Sequence, residues 1–202
     1  MGSIEIFKLQ CKMASEAIVN WKNYCRDICA EHLVLNPMIL GGPGKCVEID
    51  ETAFVKRKYN VGHRVKTQWV FGGLEIGSRK CFLVAVKDRS ADSLIPVLQK
   101  YVLPGTTVVS DLWKAYNSIG DIGYKHLKVN HSLNFVDPLT SACTNHIEAL
   151  WNIAKRRNKR EIGTHRSQLD SYMIEFMWRF AYKGNCLEQL FLDIKQKYQL
   201  LP

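Results

Sequence analysis

Lys45-Cys46-Val47-Glu48-Ile49-Asp50-Glu51 alternates polar and apolar residues, and the period of two predicts a strand over 45–51 with one half-buried face. Working outward, a basic connection covers 55–66. Two further runs, over 67–76 and 80–87, flank the turn Gly77-Ser78 and suit an antiparallel pair. A helix over about 91–102 turns Leu94, Val97, Leu98 and Tyr101 inward and stops at Pro104-Gly105. Thr106-Thr107-Val108-Val109-Ser110 reads as a fourth strand, with Asp111 directly after it. A short helix around 112–119 and a strand over 125–129 follow. The loop from Asn130 to Pro138 leads to a helix that carries Glu148. Helices over about 166–182 and 186–198 end the chain, the first with Leu169, Tyr172, Met173, Phe176, Met177 and Phe180 at helical spacing.

A meander of three strands followed by alternating strands and helices predicts an α/β fold, a mixed sheet flanked by helices with extra helices at both ends. Such a sheet sets the end of the first strand beside the end of the fourth. Residues 1–44 read as an N-terminal helical segment and 45–202 as the catalytic domain. The first helix spans about 16–33, capped by Ser15, with Ile18, Trp21, Tyr24, Cys25, Ile28 and Cys29 on one face. Gly41-Gly42-Pro43-Gly44 reads as a hinge between the two parts. Cys25, Cys29 and His32 have a spacing open to zinc, but cysteines on a buried helix face read as core.

The 202 residues suffice for one good core. No apolar run approaches the ~18 residues of a membrane span, and the odd, scattered set of seven cysteines favours a reducing compartment. The formal charge of +9 is concentrated. Residues 56–66 hold Lys56, Arg57, Lys58, Arg64 and Lys66 and no acid. Residues 155–166 hold Lys155, Arg156, Arg157, Lys159, Arg160 and Arg166 against Glu161. Each segment is net +5, so the remainder is close to neutral. Clustered charge of one sign predicts a polyanionic partner.

Asp50 on the first strand, Asp111 at the end of a later one and Glu148 on a following helix form the arrangement by which a ribonuclease H-like fold holds two divalent cations. Hard cations such as Mg²⁺ take oxygen ligands and leave positions for phosphate. On the helix, Asn145, Glu148, Asn152 and Lys155 share one polar face, while Ile147, Leu150, Trp151 and Ala154 make an apolar one. Glu48 shares the face of Asp50 and reads as a supporting group. Glu51 points the other way and reads as structural. His131, in the loop before the helix, is an auxiliary candidate.

Val47-Glu48-Ile49-Asp50-Glu51, Trp69-Val70-Phe71-Gly72-Gly73, Val86-Lys87-Asp88-Arg89-Ser90, Ser110-Asp111-Leu112-Trp113-Lys114-Ala115-Tyr116, Val129-Asn130-His131-Ser132 and Thr144-Asn145-His146-Ile147-Glu148-Ala149-Leu150-Trp151 together resemble the transposases of Merlin-type DNA transposons and their bacterial insertion-sequence relatives. The 36 residues between Asp111 and Glu148 are similar to that family's spacing, and the resemblance runs from about 15 to 182. It implies a DDE catalytic domain with Asp50, Asp111 and Glu148 as catalytic and metal-binding residues and two Mg²⁺ ions, with Mn²⁺ able to substitute. It also implies cleavage and joining of double-stranded DNA at transposon ends and target, by a homodimer or higher oligomer. The nucleus is then the expected location in a eukaryote, and the cytoplasm otherwise; no membrane is involved. Some relatives place Asn where others have the last acid, which leaves Asn145 as an alternative to Glu148. Many carry a DNA-recognition segment ahead of the catalytic domain. The roughly 44 residues before the first strand hold no convincing zinc ligand set, which leaves a truncated or domesticated copy as an alternative, while the intact acids favour a working catalytic centre. The competing readings are a DNA-binding protein without catalysis and a ribonuclease H-like nuclease without a joining step.

Overall fold

A computed structural model describes residues 4–55, 67–130, 143–160 and 166–198, without the side chains of Ile4, Phe7, Val55, Arg157, Asn158, Arg160 and Arg166. Two helices come first, α1 (Ile4–Cys11) and α2 (Ser15–Leu35). The strands β1 (Leu40–Gly41), β2 (Cys46–Val55), β3 (Gln68–Glu75) and β4 (Cys81–Val86) lead to α3 (Ala91–Tyr101). After β5 (Val102–Leu103) and β6 (Thr107–Ser110) come two 3₁₀ turns, Lys114–Tyr116 and Ile119–Ile122, and β7 (Lys125–Lys128). Helices α4 (Asn145–Arg160), α5 (Arg166–Ala181) and α6 (Cys186–Tyr198) complete the order.

The main sheet has the order β4-β3-β2-β6-β7. β3 pairs antiparallel with β2 and with β4, while β6 pairs parallel with β2 and β7 with β6. This is the expected meander followed by crossovers, and it places the first long strand at the centre. Alternation along β2 separates two faces. Val47 and Ile49 are fully buried on one side, where Phe71 meets Phe82 edge-on and Phe82 stacks on Tyr101 of α3. Glu48 and Asp50 lie on the other side, beneath α4. The chain is thus a mixed α/β fold, a five-stranded sheet flanked by helices. No helix of the described residues is long and apolar enough to cross a membrane.

Three local readings are corrected. The helix expected near 112–119 is replaced by the 3₁₀ turns, because Asp111 Oδ1 accepts from the Trp113 amide at 2.9 Å and closes a tight turn instead. Ser15 is the first helical residue of α2 and not its cap; Ala14 holds the cap position with no side-chain bond. The buried stripe of α2 runs through Ile18, Ile28, Cys29 and His32, which leaves Trp21 and Tyr24 exposed and in edge-on contact with each other. The Gly41-Gly42 stretch is pinned to the sheet. The Gly41 amide donates to Glu75 Oε2 and the Gly42 amide to Thr106 Oγ1, both at 2.8 Å. Gly41 has φ +80°, and a Cβ there would lie 2.1 Å from Thr106 Oγ1.

The helix α2 packs on α5 and α6 through a buried polar knot. His32 Nδ1 meets Asp193 Oδ1 at 2.8 Å, and His32 Nε2 meets the Tyr182 hydroxyl at 2.8 Å. Asp193 also accepts from Trp178 Nε1 and Gln189 Nε2. Both ring nitrogens of His32 are therefore engaged, and Cys29 is a buried thiol pushed up to about 12 by desolvation. These three helix residues behave as core and not as a zinc set. Asp193→Ala would leave the buried His32 and Trp178 without their acceptor and is expected to cost about 3 kcal/mol, measured by urea unfolding. A loss below 1 kcal/mol, on the order of a surface change, would contradict this reading.

Candidate active site

Asp50 sits at the middle of β2, opposite Gly72 of β3. Its Oδ2 accepts from Trp151 Nε1 of α4 at 2.9 Å. Burial chiefly, with the nearby charge of Glu51, pushes the Asp50 carboxyl up to about 7. The Glu51 backbone amide and the Trp151 indole oppose this rise, and the charge on Asp111 adds to it. The indole fits over the sheet only because residue 72 has no side chain. A Cβ there would lie 2.6 Å from Trp151 Cη2 and 2.9 Å from Leu83 Cδ2. Gly72→Ala is expected to cost about 1–3 kcal/mol by overpacking and to dislodge the indole from Asp50, read as a lowered Tm and altered tryptophan fluorescence.

Asp111 follows β6. The parallel register pairs Glu48 with Val109, and its continuation sets Asp111 beside Asp50. Ser110 Oγ meets His126 Nε2 at 2.8 Å, and burial lowers the pKa of that histidine. Behind Asp50, on the other face of β2, Glu51 accepts from the Tyr116 hydroxyl and from Arg89 at 3.2 Å. The Arg89 guanidinium is held between Trp69 and Trp113, 4.3 Å from each ring centroid. Burial raises the Glu51 pKa against the hydrogen bond from Tyr116, and the Asp111 charge raises it further. Tyr116 is held well above its ordinary range by burial and by Glu51. Glu51 does face away from Asp50, as expected, yet its charge couples to both aspartates. Its partners Arg89 and Tyr116, and Trp113 packed on Arg89, lie in the quoted motifs, but nothing local in the sequence marks them as such.

The α4 helix has the expected two faces. Ile147, Leu150, Trp151 and Ala154 are buried, and Asn145, Glu148 and Asn152 are exposed. Three contacts lay the helix along β2. Glu48 Oε2 accepts from the Ile147 amide at 2.9 Å, Trp151 reaches Asp50, and Lys155 Nζ donates to Thr52 Oγ1. Glu48 is only 2% exposed, so it anchors the N-terminus of α4, where an anion is favoured. Lys155 is half-buried between Thr52 and the Phe54 ring.

Asp50 and Asp111 are thus brought into electrostatic contact. Asp50, Asp111 and Glu148 do not have ligand atoms all within 4.8 Å of one another; among the described residues the group that meets this spacing is Glu48, Cys143 and His146. Arg156 and Lys159 are exposed on α4. Lys56, Arg57, Lys58, Arg64, Lys66 and His131 lie outside the described residues, as do the side chains of Arg157 and Arg160. The excess of carboxylate over cation around Asp50 is a set of hard oxygen donors that could hold a divalent ion such as Mg²⁺.

Residues 40–181 match the family model described as "ISXO2-like transposase domain". The chain is 28% identical over 101 residues to an "Uncharacterized transposase-like protein" of Haemophilus influenzae, a stretch that covers 50% of this chain and 80% of that relative. Among solved structures, a chain in "Crystal structure of the Mos1 Strand Transfer Complex" aligns with 100% of this chain and 75% of that one, at 12% identity and a TM-score of 0.27. A likeness that low carries no argument about fold or chemistry.

Proposed function

Because the chain belongs to the family of the ISXO2-like transposase domain, we propose that it is a metal-dependent transposase that cleaves and joins DNA at transposon ends. The observation that carries the reading is the placement of Asp50 on the central strand beside Asp111 at the end of the adjacent parallel strand, close enough for the Asp111 charge to raise the Asp50 pKa. Glu148, on the helix held over Asp50 by Trp151, is the third acid proposed. A central strand with an antiparallel neighbour on one side and a parallel one on the other supports a ribonuclease H-like fold.

In this reading Asp50, Asp111 and Glu148 hold two Mg²⁺ ions, for which Mn²⁺ would substitute. Bound there, the ions supply Lewis-acid stabilisation of an in-line phosphoryl displacement. The chain's own residues prepare the place. Trp151 fixes the orientation of Asp50, and the β2–α4 contacts at Glu48 and Thr52 fix the helix that bears Glu148. Arg89 partly offsets the charge behind the site through Glu51. Lys155 would face a phosphate beside the site, and the basic residues of 56–66 and 155–166 would hold the DNA backbone.

Arg156→Ala with Lys159→Ala is expected to weaken binding to any duplex and to flatten the plot of log K against log salt. Each lost phosphate contact removes about 0.9 from the slope. An unchanged slope would assign these side chains to a solvated face. The function itself is tested by incubating the protein with DNA that carries terminal repeats and a target plasmid, with Mg²⁺ or with chelator. Mg²⁺-dependent cut ends and joined products support a transposase. Cut ends alone favour a ribonuclease H-like nuclease, and DNA binding without either favours a non-catalytic binding protein.

A further inference from the structure

We propose that Glu48, Cys143 and His146 form a second metal site, of Zn²⁺ type, that clamps the start of α4 to β2. The site is distinct from the carboxylates around Asp50 and does not depend on the function proposed above. The three residues come from different segments: the central strand, the residues ahead of α4 and its first turn. Their ligand atoms all lie within 4.8 Å of one another. Glu48 Oε1 is 3.7 Å from Cys143 Sγ and 2.7 Å from His146 Nδ1, and the sulfur is 3.9 Å from Nδ1.

Zinc–ligand lengths of about 2.0–2.3 Å at tetrahedral angles put sulfur about 3.5 Å from an N or O ligand, and N about 3.4 Å from O. The two sulfur distances need only small contractions. The His146–Glu48 pair, now joined through a proton, must open by roughly 0.7 Å, the difference between about 3.4 and 2.7 Å. The chemistry of the donors is specific. Thiolate and imidazole select a borderline-soft ion over Mg²⁺, and a thiolate, a carboxylate and a neutral imidazole balance a charge of +2. Binding releases the thiol proton, and the neutral His146 ring carries its remaining proton on Nε2, so atoms and charge are conserved.

Glu48 suits the role of an oriented ligand. Its Oε2 is fixed by the Ile147 amide, which leaves Oε1 toward the other two donors. The His146 side chain is 57% exposed and Cys143 half-buried, which provides an entry path from solvent and a fourth position for water. Cys46 lies two residues before Glu48 on β2 and couples electrostatically to Glu48 and Cys143, but it falls outside the 4.8 Å group.

The test uses Co²⁺ as a spectroscopic probe on the full chain, first stripped with chelator. Expected are one equivalent of Co²⁺ with a thiolate charge-transfer band and the visible bands of a tetrahedral site, both displaced by Zn²⁺. Cys143→Ser should abolish the charge-transfer band. Cys143→Ser and His146→Ala should each weaken Zn²⁺ binding by at least about a hundredfold, since even residues that only support a ligand cost up to that much. Both side chains lie outside the core, so the variants should fold, which circular dichroism checks. Asp111→Asn should leave the band unchanged and so separate this site from the hard-metal carboxylates. Cobalt binding without a thiolate band, or a band that survives Cys143→Ser and vanishes in Cys46→Ser, would overturn the assignment.

Discussion

Stripped of divalent ions, the Asp50→Asn protein is expected to be more stable than the native chain at pH 8 by roughly 4 kcal/mol, with little difference near about pH 4. The Asp50 carboxyl is held at about 7 in the fold, against an ordinary value of 3.8. Between those values the folded protein keeps a proton that the unfolded chain gives up. The contribution of Asp50 to stability is therefore full below about pH 4 and is lost as pH rises through 7. Three units at about 1.4 kcal/mol each give the magnitude. Burial of Glu51 pulls in the same direction, so some pH dependence persists in the variant. Asparagine retains an acceptor for Trp151 Nε1 and should disturb the packing little.

Mg²⁺ should narrow the gap at pH 8, from roughly 4 to about 1.3 kcal/mol. A cation that binds the ionised carboxylates stabilises the native chain by about 2.7 kcal/mol at a hundred times its Kd, and should do little for Asp50→Asn. Urea unfolding over a pH series, with chelator and with Mg²⁺, measures both effects. Parallel stability curves for the two proteins would remove Asp50 from the site. DNA cleavage by Asp50→Asn should fall to background in Mg²⁺ and in Mn²⁺.

The parts legible in the sequence are those set by local period. Alternation around Asp50, the apolar run before Asp111 and the two faces of the Glu148 helix located β2, β6 and α4 to within a few residues, apart from the far end of β2. What depends on partners distant in sequence was not legible. Trp151 reads locally as an apolar packing residue; that its N–H holds Asp50 depends on Gly72, 79 residues earlier, leaving room. Glu48 reads as an acid on a strand, and only the fold shows it at the head of α4. Arg89 lies in a turn, where nothing nearby shows that Trp69 and Trp113 will enclose it. Helical period alone does not show the exposure of Trp21 and Tyr24, because the stripe of α2 is set by α5 and α6 and is not centred on its largest side chains. Short paired segments such as β1 with β5 have too few residues to show a period at all.

The central claim is that Asp50, Asp111 and Glu148 hold the ions of a strand-cleaving enzyme, with Asn145 in no ligand role. Both Asn145 and Glu148 are exposed on α4, so a carboxylate-to-amide change at 148 should leave the fold intact. It removes an anionic ligand for a hard cation. The most direct test is the rate of Mg²⁺-dependent cleavage of terminal-repeat DNA by Glu148→Gln, beside the native chain and Asn145→Ala. Loss of several kcal/mol of charge stabilisation predicts a fall of about a thousandfold or more for Glu148→Gln, with Asn145→Ala close to native. Cleavage by Glu148→Gln at the native rate, with loss in Asn145→Ala, would contradict the account and move the third ligand to Asn145.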